Sequence, residues 1–271
     1  MPELPEVETI VRALQPVLTG KTIRRFEFLH PRVTRHSSPE QIRQEYIGSI
    51  ISDLRRRGKY ILIQFRQNPP DLAIHLKMSG QLLLSEEELV NKHLRAVIHL
   101  NDGLRLNFVD IRTFGYIFIA NQNAPQGFLS LGIEPLSSSF TARRLEQLLS
   151  DKKTEVKTLL LHQDLVAGIG NIYASEICFL AGIHPERKGN ILSKEEFKRL
   201  HRSIRKILQE AIFQMGTTFS NYRRPNGEAG MYSNQLQVYG RESEPCYKCQ
   251  TKIIRIVQHG RSTFYCPLCQ Q

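Results

Sequence analysis

Apolar residues near the start of the chain recur at helical spacing. Val7, Ile10, Val11 and Leu14 share one face, Pro5 suits the first helical position, and Glu6 and Glu8 suit a first turn. MPELPEVETI therefore predicts the opening of an amphipathic helix. The period then shortens. Residues 60–65, 72–78, 81–84, 95–100, 104–110 and 115–120 are short runs rich in branched apolar residues and read as strands. Asn101-Asp102-Gly103 between two of them is a hairpin turn signal. Strands that follow one another without helices predict an antiparallel sandwich or barrel, here an N-terminal domain of residues 1–130.

The texture changes at 123–139, where Pro, Gly and Ser gather as in a linker. Helical spacing follows at 140–149, 155–162 and 171–181. A longer helix begins after Ser193, where Ser193 and Glu196 make a capping box, and runs to about 213. The expected organisation is α+β. A β-sandwich with an N-terminal helix comes first, a helical domain spans 131–240 and includes a mobile polar loop at 216–235, and a cysteine-rich block occupies 241–271.

Charge narrows the partner. Across 271 residues the net charge is +11 and the pI about 9.6, which points to a polyanion, most simply nucleic acid. At 41% hydrophobic and 23% charged, the composition is that of a soluble globular protein. No run approaches the roughly 18 apolar residues of a membrane span, and the first residues lack a signal peptide's basic-then-apolar order, so a cytoplasmic location is expected. Five cysteines in such a chain argue against disulfides.

Four of those cysteines, Cys246, Cys249, Cys266 and Cys269, are spaced as two C-x2-C pairs, the signature of a four-cysteine zinc ribbon. With four thiolates no coordination position stays open for water, so one structural zinc is expected. Cys178, on a predicted helix, reads as a buried apolar residue. The hairpin between the pairs has His259-Gly260-Arg261 at its tip, and an arginine on a rigid tip suits a phosphate, although by itself it is more often a solvated turn residue. Residues 157–177 read as helix, tight turn with Gly168 and Gly170, and helix, with Asn171 at the N-cap. Glycines permit close backbone approach to a phosphate, and free amides at a helix start attract it. Lys157 adds charge from the first helix. A lone turn of this kind is more often a plain connection; beside a zinc ribbon in a basic chain it reads as a nucleic-acid contact.

Together, MPELPEVET, LVAGIGNIYASE (165–176), NQLQVYGR (234–241) and the terminal four-cysteine ribbon resemble the bacterial formamidopyrimidine-DNA glycosylase family, in order along the whole chain. The resemblance implies a helix-two-turn-helix domain and a bifunctional enzyme of base excision repair. Such an enzyme excises oxidised purines such as 8-oxoguanine and formamidopyrimidines from duplex DNA, then cuts the strand by β,δ-elimination. It implies removal of Met1, leaving Pro2 as an N-terminal secondary amine. An α-amino group has a reference pKa of about 7.7–8.0, so a useful fraction is uncharged at neutral pH. Its attack on C1′ gives an iminium that stays cationic and acidifies the C2′ proton.

The same resemblance implies roles along the chain. Glu3 manages protons at the sugar, with Glu6 a weaker member of the set, since a charge at a helix start accounts for it equally well. Lys59 assists elimination and touches phosphate, although the adjoining Arg55-Arg56-Arg57 also reads as a solvated loop. Arg261 grips phosphates with Asn171 and serves the second elimination. Met78, Arg112 and Phe114 fill the gap left by an extruded base; read alone, Met78 and Phe114 are core residues more often than wedges. His75, His93, Lys152, Lys157, Gly170 and Tyr239 are expected to contact the DNA backbone. Loop 216–235 is expected to cap the lesion through Thr217, Thr218 and Tyr222. The chain is expected to act as a monomer, associated with the nucleoid, without a membrane or a small-molecule cofactor.

Other readings differ in what they require. An endonuclease VIII-like enzyme for oxidised pyrimidines uses the same machinery, but its fourth residue normally differs from Leu4. A non-catalytic zinc-ribbon nucleic-acid-binding protein tolerates an extra residue ahead of Pro2. An N-terminal-proline tautomerase explains neither the zinc spacing nor the charge.

Overall fold

The computed structural model describes residues 1–217 and 230–271. The chain divides into two compact units, Met1–Leu129 with Gln214–Ser233, and Ser130–Phe213 with Asn234–Gln271.

The first unit is a sandwich of two four-stranded antiparallel sheets. One has the order β1 (Ile23–Phe28), β6 (Leu94–Leu100), β7 (Arg105–Asp110), β5 (Gly80–Ser85). The other runs β2 (Ile51–Arg57), β3 (Tyr60–Phe65), β4 (Asp71–His75), β8 (Tyr116–Ala120). Helix α1 (Leu4–Leu18) packs mainly against β2. Its stripe of Val7, Ile10, Val11 and Leu14 joins Leu54, Ile61, Ile63, Phe108 and Ile117 in one core. The helix begins one residue earlier than Pro5 suggests, with Glu3 as its N-cap. Helix α2 (Pro39–Tyr46), capped by Ser38, adds Ile42 and Tyr46 to the same core.

The six predicted strands are present, the second ending at His75 and not at Met78. The basic run at 55–57 is not a solvated loop. It ends β2, in register with β3 from Arg55↔Leu62 to Arg57↔Tyr60.

The second unit is helical. Past the short α3 (Gln126–Leu129) come α4 (Ala142–Leu149), α5 (Val156–Leu161), α6 (Asn171–Ala181) and α7 (Lys194–Phe213). Helices α4 and α6 both pack on α7. The capping box before α7 is formed, with Ser193 N–H donating to Glu196 Oε2 at 2.8 Å and Glu196 N–H to Ser193 Oγ at 3.3 Å. The hairpin of β9 (Ile254–Gln258) and β10 (Arg261–Tyr265) closes the chain against α6.

Candidate active site

Pro2 and Glu3 are buried at the head of α1. The backbone N–H of Glu3 donates to Oε2 of Glu6 at 2.7 Å. Oε1 of the same buried carboxylate accepts from the backbone N–H of Thr217, also at 2.7 Å. Glu6 thus fixes both the start of the chain and a segment returning from 211 residues away. Gly216, at φ +81°, passes so close that a Cβ there would stand 2.9 Å from the Glu6 side chain. Thr217 is buried and bridges to Met231, while Thr218 and Tyr222 lie outside the described residues.

Lys59 is brought to the same helix by its turn. Gly58 and Lys59 form the two-residue connection between β2 and β3. Arg56 donates from Nη1 to the carbonyl of Gly58 at 3.1 Å and from Nε to Glu8 of α1 at 2.9 Å. This largely buried ion pair fastens the Lys59 turn to the helix that carries Pro2 and Glu3. Lys59 itself is only 7% exposed.

Next to it, His75 pairs with Tyr60 across β3–β4 and with Tyr116 across β4–β8. Its ring stacks on Tyr116 and meets Tyr60 edge-on, with centroids 5.5 and 4.5 Å apart. Burial, and then the charges of Lys77 and Lys59, hold the imidazole well below its ordinary pKa. Nδ1 accepts from the backbone N–H of Lys77 at 2.9 Å, so the neutral ring carries its proton on Nε2 as a donor. Arg35 and Lys77 lie over the Tyr116 ring, 4.6 and 5.4 Å from its centre. These cations suit a phosphate, and sequence reasoning missed both, because nothing local marks them.

Met78 and Phe114 stand on neighbouring loops and are exposed, at 42% and 40%, unlike core residues. Arg112 is exposed as well and lies over the Phe114 ring at 4.9 Å. Buried Asp110 joins the two loops. Its Oδ1 accepts from Ser79 Oγ beside Met78 and from the backbone N–H of Arg112 at 3.2 Å, and its Oδ2 accepts from the N–H of Gly115 at 2.7 Å. His93 is half-buried beside this staple, its carbonyl accepting from the N–H of Asp110 at 2.9 Å.

In the second unit the turn before α6 is organised by Gln163, another residue the sequence did not single out. Its Oε1 accepts from the N–H of Gly168 at 2.9 Å, and its Nε2 donates to the carbonyl of Ile169 at 2.8 Å. Gly170 is the N-cap of α6 and Asn171 the first helical residue, so the N-cap expected at Asn171 falls one position earlier. That frees the Asn171 side chain from capping. It donates from Nδ2 to the carbonyl of Ser262 at 2.8 Å.

Lys157 is not a surface cation. It is 1% exposed, and its Nζ donates to Asn171 Oδ1 at 2.6 Å, to Thr263 Oγ1 at 2.7 Å and to the Ser262 carbonyl at 3.2 Å. Buried Glu176, on α6, accepts from the backbone N–H groups of Gln237, Val238 and Tyr239 at 2.8–3.0 Å. Two buried charges of opposite sign therefore bolt the helical turn to the segment that leads into the ribbon and to the ribbon itself. Tyr239 also packs edge-on against Phe264, with centroids 5.0 Å apart. Lys152 is half-buried and paired with Asp151. At the hairpin tip both His259 and Gly260 have positive φ, +46° and +75°, as a type I′ turn requires, and Arg261 follows, exposed.

The four ribbon thiols lie within 4.8 Å of one another, with Cys249 and Cys266 sulfurs 3.4 Å apart and Cys246 and Cys269 sulfurs 3.9 Å apart. Tetrahedral Zn–S bonds of about 2.3 Å place sulfurs about 3.8 Å apart. The donor set fits one structural zinc, with no open position. Cys178 is fully buried, and burial pushes its thiol up to about 12, which leaves it inert as expected.

Three family models match in chain order: the formamidopyrimidine-DNA glycosylase N-terminal domain over residues 1–117, the H2TH domain of the same glycosylase over 131–222, and a zinc finger found in FPG and IleRS over 243–271. The formamidopyrimidine-DNA glycosylase of Symbiobacterium thermophilum is 44% identical over all of this chain and 89% of its own length. The MutM (FPG) structure from Thermus thermophilus is 38% identical with a TM-score of 0.89, covering 99% of this chain and 98% of that one. Lactococcus lactis Fpg is solved with DNA containing N7-benzyl-Fapy-dG and with DNA containing an oxidised pyrimidine. Each structure is 36% identical with a TM-score of 0.90 and covers all of both chains. The chain belongs to the formamidopyrimidine-DNA glycosylase family.

Proposed function

We propose that this protein is a DNA glycosylase of base excision repair that removes oxidised purines from duplex DNA and then cuts the strand as a lyase. The observation that carries the reading is the convergence on α1. Pro2 and Glu3 are buried at its head, and the Glu8–Arg56–Gly58 chain ties the Lys59 turn to the same helix.

The chemistry begins after Met1 is removed. The Pro2 nitrogen attacks C1′, the N-glycosidic bond breaks, and its electron pair leaves with the base, which takes up a proton. Ring opening, with Glu3 passing a proton to the sugar oxygen, gives a C1′ iminium. Loss of the C2′ proton feeds electrons into that iminium and expels the 3′ phosphate, with Lys59 beside the reacting sugar. A second elimination expels the 5′ phosphate, assisted by Arg261. Zinc supplies no chemistry; it fixes the hairpin that presents Arg261.

The remaining residues hold the DNA. His75 offers an Nε2 donor to phosphate, flanked by Arg35 and Lys77. Asn171, Gly170, Tyr239, Lys152 and His93 engage the backbone, and Lys157 acts by positioning Asn171 and the hairpin. Met78, Arg112 and Phe114 enter the stack in place of the extruded base. Thr217, Thr218 and Tyr222 recognise the extruded base. Glu6 positions Glu3 and Thr217. The protein acts as a monomer on nucleoid DNA in the cytoplasm. Among the described residues no helix is long and apolar enough to cross a membrane.

A wider substrate range has its own support, since a relative is solved on DNA with an oxidised pyrimidine. Duplexes carrying one 8-oxoguanine, one formamidopyrimidine or one oxidised pyrimidine separate the readings. The purine reading expects faster release from the first two, with phosphates left on both sides of a one-nucleoside gap. Preferential cutting of the pyrimidine duplex moves the chain to the sibling activity, and intact strands with every lesion contradict the proposal.

A further inference from the structure

The zinc hairpin has a second fastening besides Lys157. At its tip, His259 Nε2 meets Oε2 of Glu155 at 3.2 Å, across a separation of 104 residues. Glu155 is the N-cap of α5, and its neighbours are sewn to the segment at 187–189. Val156 N–H donates to the Arg187 carbonyl at 2.6 Å, and Gly189 N–H donates to the Thr154 carbonyl at 3.0 Å. The Glu155 side chain therefore stands on fixed backbone. Its own backbone N–H, and then His259, hold the carboxyl below the usual carboxylate range, so Glu155 is the acceptor and Nε2 carries the proton.

Two observations give this exposed pair a purpose. The first is backbone. His259 has φ +46° at the first central position of a type I′ turn, where Asn is the preferred residue before Gly. The turn does not call for an imidazole; the contact does, because an asparagine amide is too short to meet Glu155. The second is space. A cavity of about 290 Å³ lies between α5 and the tip, lined by Thr158 and Leu161 on one side and by His259 and Arg261 on the other. Packing therefore does not hold the tip against α5. The Lys157 bonds reach the hairpin at Ser262 and Thr263, beyond Arg261. Among the described residues nothing bonds the Arg261 guanidinium, so its direction follows the backbone of the tip.

We propose that Glu155 and His259 are positioning residues: their pair latches the hairpin tip to the start of α5 and so aims Arg261 at a DNA phosphate. This role rests on Arg261 serving the second elimination.

The test uses zinc-loaded, full-length protein on a duplex with one abasic site and reads the ratio of δ- to β-elimination products. His259→Asn keeps the turn and breaks the latch. It should lower the ratio about threefold, within what an exposed pair supplies. The urea midpoint should stay level or rise, because Asn suits the turn, and a merely structural role would not combine the two results. Glu155→Ala should lower the ratio as much, and Glu155→Gln, which keeps an acceptor, should retain most of it. The double variant His259→Asn/Glu155→Ala should be no lower than either single one. Arg261→Gln sets the floor. If it lowers the ratio and His259→Asn does not, the latch is overturned and Arg261 keeps its role. If Arg261→Gln leaves the ratio level, the role of Arg261 falls, and the latch is judged by ¹³C NMR titration of the Glu155 carboxyl, which should move to higher pH in His259→Asn. A titration that stays put, or losses that add in the double variant, overturn the latch.

Discussion

The two units prepare their functional groups in opposite ways. In the first, the groups assigned to bond chemistry are buried: Pro2, Glu3 and Lys59 sit against α1, held by Glu6 and by the Glu8–Arg56 pair. In the second, the tip residue Arg261 is exposed, and the buried charges, Lys157 and Glu176, lie behind it as bolts. A nucleophile needs a desolvated, fixed setting with a tuned pKa. A phosphate grip needs access, and rigidity supplied from behind. The two loops proposed to fill the gap combine both, exposing Met78 and Phe114 over the buried staple of Asp110.

The sharpest way to break this contrast is to take the zinc away. Structural zinc sites carry folding energy outright, so chelation should weaken binding to abasic duplex on the order of 100-fold or more. The fold of the first unit should survive, as read by its amide spectrum. Normal binding by metal-free protein would remove the ribbon from the grip.

Next in size is Lys157→Met. It removes a buried cation with three acceptors, an expected loss of about 3 kcal/mol in urea unfolding. Among molecules that still fold, the ratio of δ- to β-elimination products should fall, because the Arg261 hairpin loses its bolt. An unchanged ratio would confine Lys157 to stability.

Acid should act on the first unit through His75. Its folded pKa lies below the ordinary 6.5, so below that pH the unfolded chain binds more protons and stability falls. Each pH unit below 6.5 costs up to about 1.4 kcal/mol until the folded imidazole itself protonates. His75→Gln should flatten this dependence between pH 5 and 7 in denaturant titrations; an equally steep curve would assign it to other groups.

The smallest effect belongs to Met78→Ala. Excision from an 8-oxoguanine duplex should slow by about tenfold while affinity for an abasic site changes little, since only the filling of the gap is lost. Unaltered excision would make Met78 an ordinary exposed loop residue.

Much of this fold could be read in the sequence where its signals are local. The alternation of YILIQF, the Asn101-Asp102-Gly103 turn, the Ser193–Glu196 box and the cysteine spacing each need only neighbouring residues. The strands β1 and β2 escaped because each carries a register shift near its start, at Ile23/Arg25 and Ile51/Asp53, which breaks the period-2 pattern. The burial of Lys157, the loop staple at Asp110, the Glu176 bridge to residues 237–239 and the cations around Tyr116 depend on partners distant in sequence. No pattern along the chain announces such pairings. The assignment of the chemistry to Pro2 and Glu3 rests on family resemblance alone, since composition gives no reason to bury a proline at position 2.

The central claim is that Pro2 is the nucleophile, and borohydride trapping on a duplex with one 8-oxoguanine tests it most directly. Mass mapping should place the adduct on Pro2, and it should vanish when one residue is left ahead of that proline. No adduct from correctly processed, zinc-loaded protein, or an adduct on Lys59 that survives the extension, would contradict it.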